Sequence, residues 1–332
     1  MNTVGVFRNV LCATDFSESA AAGLKMAVAL ARRCRAKITL AHVVRDVPMS
    51  FAMLDYGTGW EPLAADLSRL QNELRDDAEQ RLQALAAEYR EAGVELSTEV
   101  LVGVPYMAII DAVKEQQFDL VVVGTRGMAA VKRVLIGSTA TRLARTCPVP
   151  VWVARAGDLE STQAILAPLD FSPISDRLLS MAAKLSSALG AKLHLLHVYD
   201  TEELYGMPPL SDDTRAELSY YRRRARRAAL WKLEQALEKL GIDQTTATLH
   251  VVQGIPHQVI NSTARRLDAG LIVMGSVGRR GLSGLLIGNT AEKVLHTSDR
   301  SLLIVKPEPV AEQLVRNEVA AREARNEAVA VV

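Results

Sequence analysis

The chain has 332 residues, 49% of them hydrophobic. That is more than one core usually serves, so two domains of about 150 residues are expected. Lys and Arg number 39 against 38 Asp and Glu. This balance argues against a nucleic-acid-binding or membrane-surface protein overall. Cys12, Cys34 and Cys147 are far apart and form no C-x-x-C, which fits a reducing compartment. The start MNTVGVFRNVLCATD lacks the apolar run of a signal peptide, and no apolar stretch approaches the roughly 18 residues of a membrane span. A cytoplasmic protein with no transmembrane segment is the expectation.

In chain order, NVLCAT is a short apolar strand ending at Asp15. Ser17 can cap a helix whose Ala20, Leu24, Ala27, Val28 and Ala31 share one face. Strands KITLAHVV, ELSTEVLVG, DLVVVGT and VPVWVAR follow, separated by helical segments at 66–92, 105–116 and 138–146. The pattern then begins again. VLCATDFSESAAAGLKMAVALARRCRAKITLAHVV at 10–44 returns as ILAPLDFSPISDRLLSMAAKLSSALGAKLHLLHVY at 165–199, so that Asp15 answers to Asp170 and Val43 to Val198. Later landmarks keep step as Gly103 with Gly254, Gly124 with Gly275, Gly127 with Gly278 and Gly137 with Gly288. In the second copy Ser172 followed by Pro173 reads as a helix cap with Pro at the first helical position.

Unbroken apolar runs such as LVVV and LIVM indicate strands covered on both faces, as in a parallel sheet between helix layers. The expected fold is therefore α/β: two tandem doubly wound, five-stranded, parallel-sheet domains of Rossmann-like type. Their expected bounds are 1–156 and 157–309, with a tail at 310–332 that is helical or disordered. The last strand of each half, VPVWVAR and SLLIVKP, would be an exposed apolar edge. Such edges are normally covered or paired. Whether whole chains dimerise further is left open.

In such sheets ligands settle beyond the carboxyl ends of the strands, where strand order reverses. Asp15 and Gly124 share that edge if their strands are neighbours. GTRGMAAVKRVLIGS at 124–138 spaces its glycines G-x2-G-x9-G and ends on a hydroxyl. Gly124 and Gly127 form a turn without side-chain bulk, and Gly137-Ser138 opens a helix whose first amides favour an anion. Ser138 and Thr139 add hydroxyls, and Arg126, Lys132 or Arg133 can add charge. GSVGRRGLSGLLIGN at 275–289 repeats the spacing with Asn289 for Ser138 and with Arg279-Arg280 where Met128-Ala129 stand.

At these residues the chain resembles the universal stress protein family. ATDFSESA, LAHVV and GTRG-x9-GST match that family's nucleotide-binding pattern in the first half, and PLDFSPIS, LLHVY and GSVG-x9-GNTAEKV match it in the second. The resemblance covers about residues 6–307 and is to a tandem member, of the bacterial E-type. Single-domain members of that family pair through the last strand, which implies that the two halves here pair within the chain about a pseudo-twofold axis. It implies that ATP or a related adenine nucleotide, with Mg2+ accompanying it, is held in the first half by Thr14, Asp15, Val43, Gly124, Gly127, Gly137 and Ser138, with Arg126 and Thr139 beside them. The corresponding second-half positions are Asp170, Val198, Gly275, Gly278, Arg279, Arg280, Gly288, Asn289 and Thr290. There Asn289 replaces the Ser or Thr, Leu169 stands in the place of Thr14 and Arg279-Arg280 replace Met128-Ala129; these departures from the pattern argue against a triphosphate, and the two arginines favour another anionic group.

Blander readings stand beside these. Asp15 and Asp170 could cap helices, and Ser138 and Asn289 are equally good N-caps. His42 and His197 read as packing histidines, and His194 and His197 point to opposite faces of a strand, so no metal site is expected. YYRRRARR at 220–227 reads as a solvated helix face, with docking of a phosphate, a lipid headgroup or an acidic partner as the alternative. No residue can be placed as a general base for water, so a dedicated enzyme is not expected, although slow ATP turnover is compatible with the site. The two functional readings are a stress-response nucleotide sensor and a non-nucleotide adaptor whose second half binds another anionic metabolite or lipid precursor. A nucleotidyl transferase is disfavoured because G-x4-G-K-[ST], H-I-G-H and S-G-G-x-D-S are all absent.

Overall fold

The computed structural model describes residues 6–46, 60–89, 93–125, 136–155, 162–199, 212–276 and 287–307. The first half runs β1 (Asn9–Ala13), α1 (Glu18–Cys34), β2 (Lys37–Val44), α2 (Trp60–Ala87), β3 (Leu96–Val102), α3 (Pro105–Glu115), β4 (Leu120–Gly124), α4 (Ser138–Thr146) and β5 (Val151–Ala154). The second half repeats this order as β6 (Ala164–Pro168), α5 (Ser175–Leu189), β7 (Lys192–Tyr199), α6 (Asp212–Lys239), β8 (Ala247–Gln253), α7 (Pro256–Arg266), β9 (Leu271–Gly275), α8 (Asn289–Thr297) and β10 (Ser301–Val305). The tail at 310–332 lies outside the described residues.

The ten strands form one sheet in the order β3-β2-β1-β4-β5-β10-β9-β6-β7-β8. Pairing within each half is parallel, and the one antiparallel pairing joins β5 to β10, with Leu302 opposite Val153, Leu303 opposite Trp152 and Ile304 opposite Val151. Every residue of β5 is buried. The two apolar edges therefore cover each other, and the antiparallel seam gives the halves a pseudo-twofold relation. Both helix layers also run across the seam. On one face Leu24, Leu40 and Trp152 share a core with Leu178, Leu185 and Leu303. On the other, Leu11, Val121 and Leu143 share one with Leu166, Ile272 and Leu295.

Polar groups fasten the seam in a reciprocal way. Arg155, just past β5, donates from Nη2 to the carbonyl of Leu295 near the end of α8 at 3.0 Å. Lys306, just past β10, donates from Nζ to the carbonyl of Arg145 near the end of α4. Each half thus sends a cation to the carbonyl-rich end of the other half's last helix, where the dipole favours positive charge. Arg145 in turn pairs with Glu292 across the seam, and Arg33 of α1 donates to the carbonyl of Leu189 at 3.0 Å.

Local sequence explains most element boundaries. Ser17 caps α1, accepting from the amide of Ala20 at 3.2 Å, and Arg35 ends it in the left-handed region with φ 55°. In α3 and α7 a Pro occupies the start of the helix, and the preceding Gly103 and Gly254 have φ of 129° and 144°, a conformation that calls for glycine.

The start of α5 departs from expectation. Ser172 does not cap it. The helix begins at Ser175, with Ile174 in the cap position and no side-chain cap bond. The amide of Ser172 is taken by Asp170 Oδ1 at 3.0 Å, and the carbonyl of Ser172 accepts from the amide of Ser175 at 2.9 Å. Pro173 and Ile174 are thereby spent in a turn, and the helix starts two residues later than the S-P pair suggests.

Two predictions follow from the seam. Val151→Lys places an unpaired ammonium in a site where Val151 is 1% exposed, and a loss of about 2 kcal/mol or more is expected in urea unfolding, with easier proteolysis between the halves. For Lys306, burial pushes its pKa down from 10.5 to about 8, partly offset by nearby Cys147. The unfolded chain then binds more protons than the folded one between those values, so the penalty is full below about pH 8 and is relieved towards pH 10.5. The stability of wild type relative to Lys306→Met should rise by roughly 3 kcal/mol across that window; a flat difference would show that the ammonium is not desolvated.

Candidate functional site

The strand order reverses between β1 and β4, which pair with Ala13 opposite Val123. The carboxyl ends of these strands therefore lie side by side, bringing Asp15 and Gly124 to one edge as expected. Because β5 and β10 run antiparallel, the corresponding edge of the second half faces the opposite way.

The Asp15 turn is built tightly. The amide of Thr14 continues the pairing with β2 by donating to the carbonyl of Ala41 at 2.8 Å, and Thr14 Oγ1 accepts from the amide of Phe16 at 3.0 Å. Asp15 Oδ1 accepts from the amide of Ser17 at 3.2 Å, and Phe16 is left-handed with φ 64°, which is uncommon for a bulky non-glycine residue. His42 holds this turn from below: its Nδ1 donates to the carbonyl of Thr14 at 2.7 Å and its ring lies against Phe16 with centroids 4.6 Å apart. From above, the Arg81 guanidinium of α2 sits 3.9 Å from the Phe16 centroid.

The second half reproduces the turn. Asp170 accepts from Ser172, Phe171 has φ 59°, His197 Nδ1 donates to the carbonyl of Leu169 at 2.7 Å, and the Lys232 ammonium lies 5.3 Å from the Phe171 ring. His42 and His197 are accordingly packing histidines with a structural bond. His194 points away from His197 and meets His250 of β8, Nδ1 to Nε2, at 3.0 Å.

On the other side of the edge, the carbonyl of Thr125 accepts from the amide of Gly137 at 2.6 Å. This bond anchors the start of α4 to the end of β4. Thr125 Oγ1 also meets Ser19 Oγ at 3.0 Å, tying the same point to the first turn of α1. The second half repeats the anchor, with the amide of Gly288 donating to the carbonyl of Ser276 at 2.6 Å.

Gly137 and Gly288 are themselves the N-caps, in extended conformations (φ −76°, ψ 158° and φ −65°, ψ 149°), and neither helix has a side-chain cap bond. Ser138 and Asn289 are thus the first helical residues and not the caps, with Thr139 and Thr290 following them. Any residue adopts these angles, and Ser, Thr or Asp would cap better. Glycine here leaves the first helix amides without a side-chain cap.

Gly124 has a separate reason to be glycine. A Cβ there would lie 2.6 Å from the carbonyl carbon and oxygen of Ser19, so its bareness lets α1 start against the end of β4. Val43 and Val198, near the ends of β2 and β7, are partly buried against the second core. Arg126, Gly127, Gly278, Arg279 and Arg280 lie outside the described residues.

Sequence reasoning passed over Phe16, Arg81 and Thr125 with their counterparts Phe171, Lys232 and Ser276. The repeat itself carries the signal for two of these pairs: the DF dipeptide follows each first strand, and a cation recurs at the same place in each long helix. The halves differ where Ser19 is answered by Ile174. With no hydroxyl opposite, Ser276 Oγ is fully buried and has no partner.

The Universal stress protein family model matches residues 7–155 and again 161–306. The chain belongs to the universal stress protein family, with two copies of its domain. Among curated relatives, it is 30% identical to the universal stress protein E homolog of Haemophilus influenzae over 208 residues, covering 60% of this chain and 66% of that protein's length. It is 28% identical to universal stress protein E of Escherichia coli over 229 residues, 66% of this chain and 71% of the relative. A universal stress protein of Mycolicibacterium smegmatis is 29% identical over 303 residues, covering 90% of this chain and 97% of the relative. A solved universal stress protein from Archaeoglobus fulgidus has the same fold, with a TM-score of 0.64 at 23% identity over 90% of this chain and 98% of that one. The chain is thus a tandem universal stress protein similar to the E-type.

Gly124→Ala should destabilise the protein by about 1–3 kcal/mol through overpacking against the Ser19 backbone. Urea unfolding in the absence of any nucleotide measures this; an unchanged midpoint would mean that α1 can withdraw at no cost.

Proposed function

We propose that this protein binds ATP or a related adenine nucleotide in its first half and acts as a stress-response sensor or regulator. The observation that carries this reading is the bare N-terminus of α4. Gly137 caps it without a side-chain bond, and a 2.6 Å bond from its amide to Thr125 holds it at the end of β4, beside the strand that leads into the Asp15 turn. Uncovered amides and the helix dipole suit a phosphate. Asp15 and the β2 backbone near Val43 suit the base and sugar, whose donors a carboxylate and carbonyls can accept. Ser138 and Thr139 supply hydroxyl donors to the phosphates, and Arg126 and Gly127 belong to the same glycine motif in the sequence. No group of three or more His, Cys, Asp or Glu poised for a metal occurs among the described residues, so Mg2+ in this reading enters with the nucleotide.

The second half supports a different ligand. Leu169 removes the hydroxyl that Thr14 gives to the amide of Phe16, and Ile174 leaves Ser276 Oγ buried without a partner. The edge formed by Asp170, Gly275, Gly288, Asn289 and Thr290 keeps the uncapped helix but has a more apolar wall. This favours a second anionic small molecule there, in the manner of an adaptor.

The test is to denature freshly purified protein, identify and count released small molecules by chromatography and mass spectrometry, and repeat with Gly137→Val and Gly288→Val. Neither substitution strains the backbone, because both glycines have extended angles. About one adenine nucleotide per chain, lost only in Gly137→Val, is the expected result. No released nucleotide, together with no binding of added ATP, would overturn the sensor reading.

A further inference from the structure

The described residues that expose large apolar side chains are concentrated on two helices. Leu70 and Leu74 of α2 are 45% and 42% exposed, and Tyr220, Tyr221 and Trp231 of α6 are 55%, 56% and 59% exposed. The cause is geometric. α2 reaches the core only from Ala78 and Leu82 onward, and α6 only from Ala229 and Leu233 onward. Before those points, residues 72–77 and 220–228 are exposed without interruption, so each helix carries a projecting stretch ahead of the part that meets the core.

Each projecting half carries a narrow seam at the spacing of a helix pair. On α2, Leu67, Leu70 and Leu74 follow one another at intervals of three and four residues; on α6, Tyr221, Ala225 and Ala228 do so at four and three. One seam is built of large residues and the other mostly of small ones, which lets leucines seat over alanines. The flanks are complementary in charge. Asp66 and Glu73 border the leucine seam, while Arg222 and Arg224 border the alanine seam. Over their whole lengths α2 has six acidic residues against three arginines, and α6 has eight basic residues against five acidic ones. The two helices therefore carry net charges of equal size and opposite sign.

They cannot meet within one molecule. α2 packs beside β3 and α6 beside β8, and these strands are the two ends of the ten-stranded sheet, about 40 Å apart at the usual spacing between strands. We infer that α2 of one chain pairs with α6 of a second copy, seam to seam, through leucine-on-alanine packing bordered by carboxylate–guanidinium pairs. β5 and β10 are already paired inside each chain, so this contact is independent of the edge-strand pairing that joins the halves. Two such contacts about a twofold axis close a dimer, and a single contact repeated makes a linear assembly; either is a product of the same pairing.

Sedimentation velocity of the full chain over a range of concentrations, at low and at high ionic strength, tests this. Concentration-dependent association that weakens with salt is expected. The double substitution Leu70→Glu with Leu74→Glu should weaken it by about tenfold or more, with the circular-dichroism melt unchanged, because both side chains are exposed. Glu73→Arg and Arg224→Glu should each weaken it alone, and an equimolar mixture of the two should associate more strongly than either. A wild-type chain that stays monomeric, or an assembly indifferent to all these substitutions, would overturn the pairing. So would a monomer whose α6 arginines instead bind phosphatidylglycerol vesicles or an oligonucleotide, since that outcome assigns the helix to a lipid surface or a nucleic acid.

Discussion

The antiparallel pairing of β5 with β10 is the constraint on which the rest of the molecule depends. Each half on its own ends in a fully apolar strand whose backbone groups would have no partner on one side. Joining the two edges satisfies that backbone and extends both cores across the seam, with Trp152 and Leu303 opposite each other in the centre. It also fixes the direction of everything else. The halves run oppositely, so their carboxyl edges face apart, and no ligand can bridge the two Asp-Phe turns. Any communication between the sites must cross the seam itself. The reciprocal contacts of Arg155 and Lys306 with the ends of α8 and α4 span that seam, and the first turns of α4 and α8 stand at the two carboxyl edges.

Comparison of the halves separates what holds the edge from what distinguishes the ligands. The Asp turn, the left-handed Phe, the histidine beneath it and the cation above it recur in both. They form a self-supporting unit: the aspartate is bonded to an amide two residues on, and the strained Phe is pinned between a ring and a cation. The hydroxyls are what change. Thr14 and Ser19 become Leu169 and Ile174, while the helix anchor from Thr125 or Ser276 is unchanged. In the function proposed above, a half that loses hydroxyls but keeps a helix with no side-chain cap keeps the support for an anion and loses polar contacts around it.

Much of this was legible because duplication makes a sequence its own comparison. The fold and the structural role of His42 and His197 followed from repeat and period arguments, and the pairing of the terminal strands from an apolar edge together with the family resemblance. That Asp15 lies beside Gly124 hung on β1 and β4 being neighbours, which the structure supplies. The shift of the α5 start was not legible, because a Ser-Pro pair fits a helix start and a turn equally well until the Asp170 side chain claims the Ser172 amide. The Phe16 and Arg81 contact joins residues far apart in sequence, and no local pattern encodes such a meeting. The projection of α2 and α6 was hidden for a similar reason: periodicity marks a helix but not the point along it where the body ends. The arginine run at 222–227 reads as a solvated face, and all six positions are exposed.

The glycines show why spacing alone overstates a ligand site. Gly124 opens the G-x2-G-x9-G pattern, yet its missing side chain is required by the approach of Ser19, so helix packing alone would keep it glycine with no ligand at all. Gly137 closes the pattern under the opposite conditions: its angles suit any residue, and a polar side chain would cap α4 better than none. A position where the backbone permits capping and the sequence declines it is where the proposed phosphate finds its support. The phosphate argument therefore rests on the last glycine of each motif and not on the first. The same reasoning applied to Gly288 supports the proposed anion in the second half, even where the hydroxyls of Thr14 and Ser19 have been replaced.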